Sequence, residues 1–160
     1  QSGSFKTALS ILIMNLFGNF TSPPATFSDT INALEKKAYL TKDSLLLIDD
    51  FHPSTSPHEA RMKTGAAQNL TRKYGDRSSK GRAKSNMSLA SEYKPQGNGM
   101  GTSEDLLLGH STNSRHISIA VSRGDIDKEI LTELQGKTDY LNKAMQVFIE
   151  WCADKIMNND

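Results

Sequence analysis

The chain of 160 residues sets 19 Lys and Arg against 18 Asp and Glu and is 36% hydrophobic, which fits one domain of ordinary size. Its single cysteine, Cys152, excludes a disulfide framework and a multi-cysteine zinc site and suits a reducing, cytoplasmic setting. A net charge of +1 excludes a wholly basic packaging protein, and 11 Gly with 5 Pro are too few for a low-complexity linker.

The pattern predicts a first helix from about Lys6 to Asn19. Its apolar run, Ala8 to Phe17, imitates the core of a signal peptide but is too short to span a bilayer, so no membrane partner is expected. A loop with Pro23 and Pro24, an extended piece at Thr26 to Ser28 and a helix from Asn32 to Tyr39 follow. Ser44 to Ile48 is a continuous apolar run ending in two carboxylates, the pattern of a strand buried on both faces of a parallel sheet. Beyond the loop Phe51 to Pro57, a helix is expected over His58 to Tyr74, then a polar stretch to about Tyr93. Asn98 to Ser103 is a weak strand pattern, rich in glycine. His116 to Val121 is a better one, with Ile117, Ile119 and Val121 alternating with polar neighbours. Asp127 caps a helix through Leu134, and Thr138 to Met157 reads as a long helix with Leu141, Ala144, Met145, Phe148 and Cys152 on a buried stripe. Alternating helices and strands indicate an α/β fold.

Two elements carry chemistry. QSGSFKT, Gln1 to Thr7, matches the phosphate-loop pattern G-x-x-x-x-G-K-[ST] with its first Gly lying just upstream of residue 1. In such a loop the backbone amides around Ser2, Gly3, Ser4 and Phe5 cradle phosphate, Lys6 reaches the β and γ phosphates, and Thr7 ligates Mg²⁺. Phe5 stands where the pattern has Gly, which predicts an unusual backbone angle costing about 1 to 3 kcal/mol. A helix start preceded by small residues is the plainer account of the same seven residues. Leu45 to Asp50, about forty residues after Lys6, is a hydrophobic strand ending in an acidic pair. There Asp49 would hold Mg²⁺ and Asp50 would activate water, although a strand ending in a turn looks the same. Both elements, in this order and separation, favour an ATP site over either alternative taken alone.

The chain also resembles the P-loop ATPase domains of phages, plasmids and integrated elements, helicase-like proteins often joined to or encoded near primases. The resemblance is carried by Gly3 to Leu9, Thr30 to Phe51, Leu70 to Lys84, Thr102 to Arg115 and Gly124 to Gln135. It implies a RecA-like or AAA-like three-layer core with a mostly parallel sheet. Residues 1–160 would then be a partial domain lacking the strand before the phosphate loop, a central strand whose loss leaves a gap or forces repacking. It further implies that Lys6, Thr7, Asp49 and Asp50 form the ATP and Mg²⁺ site and that Thr102, Ser103 and Glu104 occupy a sensor position, with Ser103 in place of the usual Gly. Arg115 matches an arginine of the following strand. It is expected either to stabilise the transferring phosphate, in cis or from a neighbour in a homo-oligomeric ring, or to pair with a carboxylate such as Glu104 or Asp105.

Charge is concentrated between Arg61 and Lys84, which carries +7 and leaves −6 elsewhere. Arg72, Arg77, Lys80, Arg82 and Lys84 are the candidate contacts to a nucleic acid, single-stranded DNA in the replication context, with Tyr74 and Tyr93 available to stack bases. A solvated helix face is the plainer account. The four histidines match no ligand spacing. The expected function is therefore a nucleic-acid-dependent ATPase, with a nucleotide-binding switch or phosphotransferase, or a purely structural module, as the rival classes.

Overall fold

The computed structural model describes residues 3–51, 56–79, 81, 91–104 and 110–158. In chain order the elements are α1 (Lys6–Met14), β1 (Ala25–Thr26), α2 (Ile31–Leu40), β2 (Leu45–Phe51), α3 (Pro57–Asp76), β3 (Asn98–Ser103), α4 (His110–Asn113), α5 (Lys128–Gln135) and α6 (Thr138–Met157). They belong to two compact units, one of residues 3–22 with 121–158 and one within residues 23–120.

The second unit is a small α/β body. Its three strands run parallel in the order β1-β2-β3. β2 takes the centre because Leu46, Leu47 and Ile48 are all buried, Leu47 on the opposite side of the pleat from its neighbours. Leu46 and Ile48 pack with Ala25, with Leu34 and Ala38 of α2, and with Leu70 of α3. α2 starts where the Thr30 hydroxyl accepts from the Ala33 amide at 3.3 Å. α3 has Pro57 at its first position and stops where Arg77 turns left-handed, φ 47°. Between these two helices Lys73 donates to Glu35, an ion pair with side chains only 7% and 8% exposed.

β3 forms despite its composition, and the glycines explain why. A methyl group at Gly97 would collide with the carbonyl oxygens of Lys42 and Ser44. A methyl at Gly99 would sit 3.0 Å from the Tyr74 ring, and one at Gly101 3.6 Å from Phe27. Here glycine permits close approach, so its low strand propensity is overridden by packing. The Tyr74 ring is thereby committed to the sheet rather than to base stacking, and Tyr93 lies 5.4 Å from Tyr39, centroid to centroid.

Burial pushes the Tyr74 phenol up to about 12, and its oxygen is buried without a hydrogen-bond partner among the described residues. The neutral phenol is thus favoured by folding. Its contribution is intact below the ordinary tyrosine value near 10 and is lost as pH rises toward about 12. Tyr74→Phe should be neutral to stabilising by about 1 kcal/mol at neutral pH and should lose less stability than the parent between pH 9 and about 11.5 in denaturant titrations. A clear loss at neutral pH would mean that the hydroxyl has a partner.

In the first unit α1 buries Ser10, Leu12 and Met14. It ends at Met14, short of the expected Asn19, because Asn15 caps it and the Asn15 side chain accepts from the Phe20 amide at 2.7 Å. α1 packs with α5, whose Leu131 is buried. Asp127 caps α5 as expected, accepting from the amides of Glu129 and Ile130.

Two expectations are corrected. His116 to Val121 forms no strand, and Ile117 and Ile119 are 91% and 81% exposed. Alternation creates a strand only where a partner edge is available, and this segment pairs with none of the described strands. The stripe of α6 is not buried either: none of its residues is, and Cys152 is half-buried. No described helix is long and apolar enough to cross a membrane.

Candidate nucleotide site

The first unit holds the phosphate-loop candidate. Gly3 has φ 82°, Ser4 is buried, and Phe5 is left-handed at φ 56°, ψ 18°, the unusual angle expected of a bulky residue in a glycine position. α1 begins at Lys6, directly after this turn. The cap residue offers its amides no side-chain acceptor, and the first turn holds no acid. The positive end of the helix therefore adjoins the loop with no acid in its own first turn. Lys6 Nζ donates to Ser4 Oγ at 2.9 Å, which holds the ammonium over the loop. Ser2 lies outside the described residues. Sequence reasoning missed Arg123, whose guanidinium lies 3.5 Å from where a β-carbon on Gly3 would be. No motif marks it, because only the fold brings residue 123 to the loop.

The second unit, taken by itself, holds the acidic pair at the end of β2. The β2–β3 ladder shifts register between Ile48 and Phe51, and Asp50 takes φ 60° within this irregularity. Thr102, buried on β3, closes the arrangement. Its hydroxyl donates to Asp49 Oδ1 and accepts from the Asp50 amide at 3.1 Å, joining positions 52 residues apart. One side chain thus holds the Asp49 carboxylate and the Asp50 backbone, with Asp49 half-buried and Asp50 exposed. Ser103 lies beside Phe51 in the ladder, and the Glu104 amide donates to the Phe51 carbonyl at 3.4 Å. The side-chain oxygens at this strand end include those of Asp49, Asp50 and Thr102, the donor type that Mg²⁺ takes. Among the described residues no group of three or more His, Cys, Asp or Glu gathers.

Arg115 follows α4 and precedes the exposed segment rather than opening a strand. Its Nε donates to Asp76 at 2.8 Å, and its side chain covers Gly75, where a methyl group would meet it at 2.7 Å. A carboxylate partner of Arg115 is therefore on α3, and Asp105 lies outside the described residues. Of the basic block, Lys73 is buried against Glu35, and Arg77 donates to the carbonyls of Pro95 and Gly97. Arg61 and Arg72 are exposed on α3, while Lys80, Arg82 and Lys84 lie outside the described residues.

Comparison of the chain with protein-family models, with curated proteins and with solved structures returns no match.

Proposed function

We propose that the chain is the ATP-binding and ATP-hydrolysing part of a P-loop NTPase of the replication-associated, helicase-like kind, acting on nucleic acid. The observation that carries this reading is the Thr102 hydroxyl spanning Asp49 and Asp50 at the end of a parallel strand. An acidic pair that merely ended a strand would have no need of a buried hydroxyl from the neighbouring strand to orient it. The left-handed Phe5 turn opening onto Lys6 and Thr7 supports the reading from the other unit.

In this reading Lys6 neutralises phosphate charge as it builds in the transition state, and the loop amides hold the phosphate chain. Thr7 in the first unit and Asp49 in the second are each a candidate metal-binding oxygen, and Mg²⁺ would supply charge neutralisation of the phosphates. Asp50 orients the attacking water and accepts its proton. Thr102 positions the Asp49 carboxylate and the Asp50 backbone, with Ser103 and Glu104 extending the sensor segment. The testing experiment is an ATPase assay with and without single-stranded DNA, alongside ATP binding. Stimulated turnover supports the motor reading, binding without stimulation supports a switch or phosphotransferase, and absence of binding rejects both.

The cations of the basic block other than Lys73 and Arg77 supply the nucleic-acid contact. Replacing Arg72, Lys80, Arg82 and Lys84 with Ser, leaving Lys73 and Arg77 to their structural partners, should flatten the plot of log affinity against log salt by about 0.7 per lost phosphate contact on a single strand. An unchanged slope would make the block a solvated surface. For Arg115 the Asp76 pair favours a structural role. Arg115→Ala should lower thermal stability while turnover per folded molecule holds. Lost turnover at unchanged stability, partly restored by mixing with Lys6→Ala, would instead make it the arginine that completes a neighbour's site in an oligomeric ring.

A further inference from the structure

The 20 residues of α6 include none that is buried. Asp139, Lys143, Gln146, Glu150 and Asp154 recur at helical spacing and make one polar face. Beside that face runs an apolar stripe of Tyr140, Ala144, Val147, Phe148 and Trp151, at positions i, i+4, i+7, i+8 and i+11. Its four large members are 71%, 64%, 55% and 57% exposed, and Phe148 stacks on Trp151 at 6.2 Å. Leu141, Met145 and Cys152, which turn to another side of the helix, are only half-exposed. A continuous exposed stripe with two stacked aromatics is costly to leave in water and marks an interface.

We propose that this stripe is closed by the same stripe of a second copy of the chain, the two α6 helices lying antiparallel about a two-fold axis near Val147 and Phe148. Three features select this occupant. An antiparallel pair centred there sets small Ala144 against the second copy's large Trp151, and the reverse, so the surface complements itself. Lys143 and Asp154 lie on one shoulder of the stripe, and the two-fold carries each to the other's counterpart, giving two ion pairs. A parallel, in-register pair would instead set this shoulder against the opposite side of the second helix, leaving the two charges unpaired with each other, and align the helix dipoles unfavourably. The stripe is also short, so the association expected is weak, on the order of micromolar. This inference does not depend on the nucleotide reading.

The test uses the full chain in analytical ultracentrifugation over a concentration series. The parent should dimerise, and Trp151→Ala should shift it to monomer with unchanged circular dichroism. Lys143→Asp and Asp154→Lys should each be largely monomeric, since each places like charges on the shoulder. Mixed, they should form a heterodimer, because both of its shoulder pairs are again of opposite sign. In a Cys152→Ser background, Val147→Cys should cross-link to itself under mild oxidation and Tyr140→Cys should not. A monomeric parent, failure of the mixture to associate, or cross-linking through position 140 instead of 147 would each overturn the proposal.

Discussion

Asp50→Asn should bind ATP normally and turn it over about 10²-fold more slowly, whereas Lys6→Ala and Asp49→Ala should abolish hydrolysis. The contrast follows from what each change removes. Asn keeps the size and hydrogen-bonding capacity of Asp but not the negative charge that draws a proton from water. It also accepts the left-handed conformation that Asp50 holds at φ 60°, so the bend in β2 survives the substitution. Lys6→Ala removes the ammonium that Ser4 steadies over the loop, and Asp49→Ala removes the carboxylate that Thr102 orients. Steady-state turnover and fluorescent-nucleotide binding, measured on the same preparations, check all three. Parent-level turnover in Asp50→Asn would remove Asp50 from the role of base. Unchanged turnover in Lys6→Ala would remove the phosphate-loop assignment altogether.

Lys73→Met should destabilise the second unit by about 3 to 5 kcal/mol in urea titrations, because it withdraws the ammonium from beside a carboxylate that stays buried. Replacing both partners, as Lys73→Met with Glu35→Leu, should recover much of that loss, since apolar side chains of similar volume avoid the desolvation cost. A single-variant loss below about 1 kcal/mol would mean that water reaches the pair as it reaches a surface ion pair. The same variant bears on function. Lys73 sits within the basic block, yet as a buried structural cation it should contribute nothing to the salt dependence of nucleic-acid binding.

Local chemistry made much of this protein readable from sequence. The apolar run Leu45 to Ile48, ending in Asp49 and Asp50, has few ways to satisfy its backbone and side chains except as a central parallel strand, and β2 is one. Asp127 ahead of a helical pattern caps α5 through bonds that reach only two or three residues along the chain. The left-handed angle at Phe5 was likewise implied by a bulky residue in a glycine position.

What only tertiary structure decided depends on contacts between distant residues. Propensity argues against a strand at GNGMG, but there Gly97 and Gly99 let the carbonyls of Lys42 and Ser44 and the Tyr74 ring approach more closely than a side chain would allow. Conversely, the alternating Ile117 and Ile119 remain exposed because no edge receives them. No sequence spacing announces that Thr102 will bridge Asp49 and Asp50, that Asp76 will hold Arg115, or that Arg123 will cover Gly3. Charge and periodicity state what a residue is able to do. Whether a Lys meets solvent or a buried Glu35, and whether an apolar stripe meets a core or water, is set by which surfaces the folded chain brings together, as Lys73 and α6 illustrate.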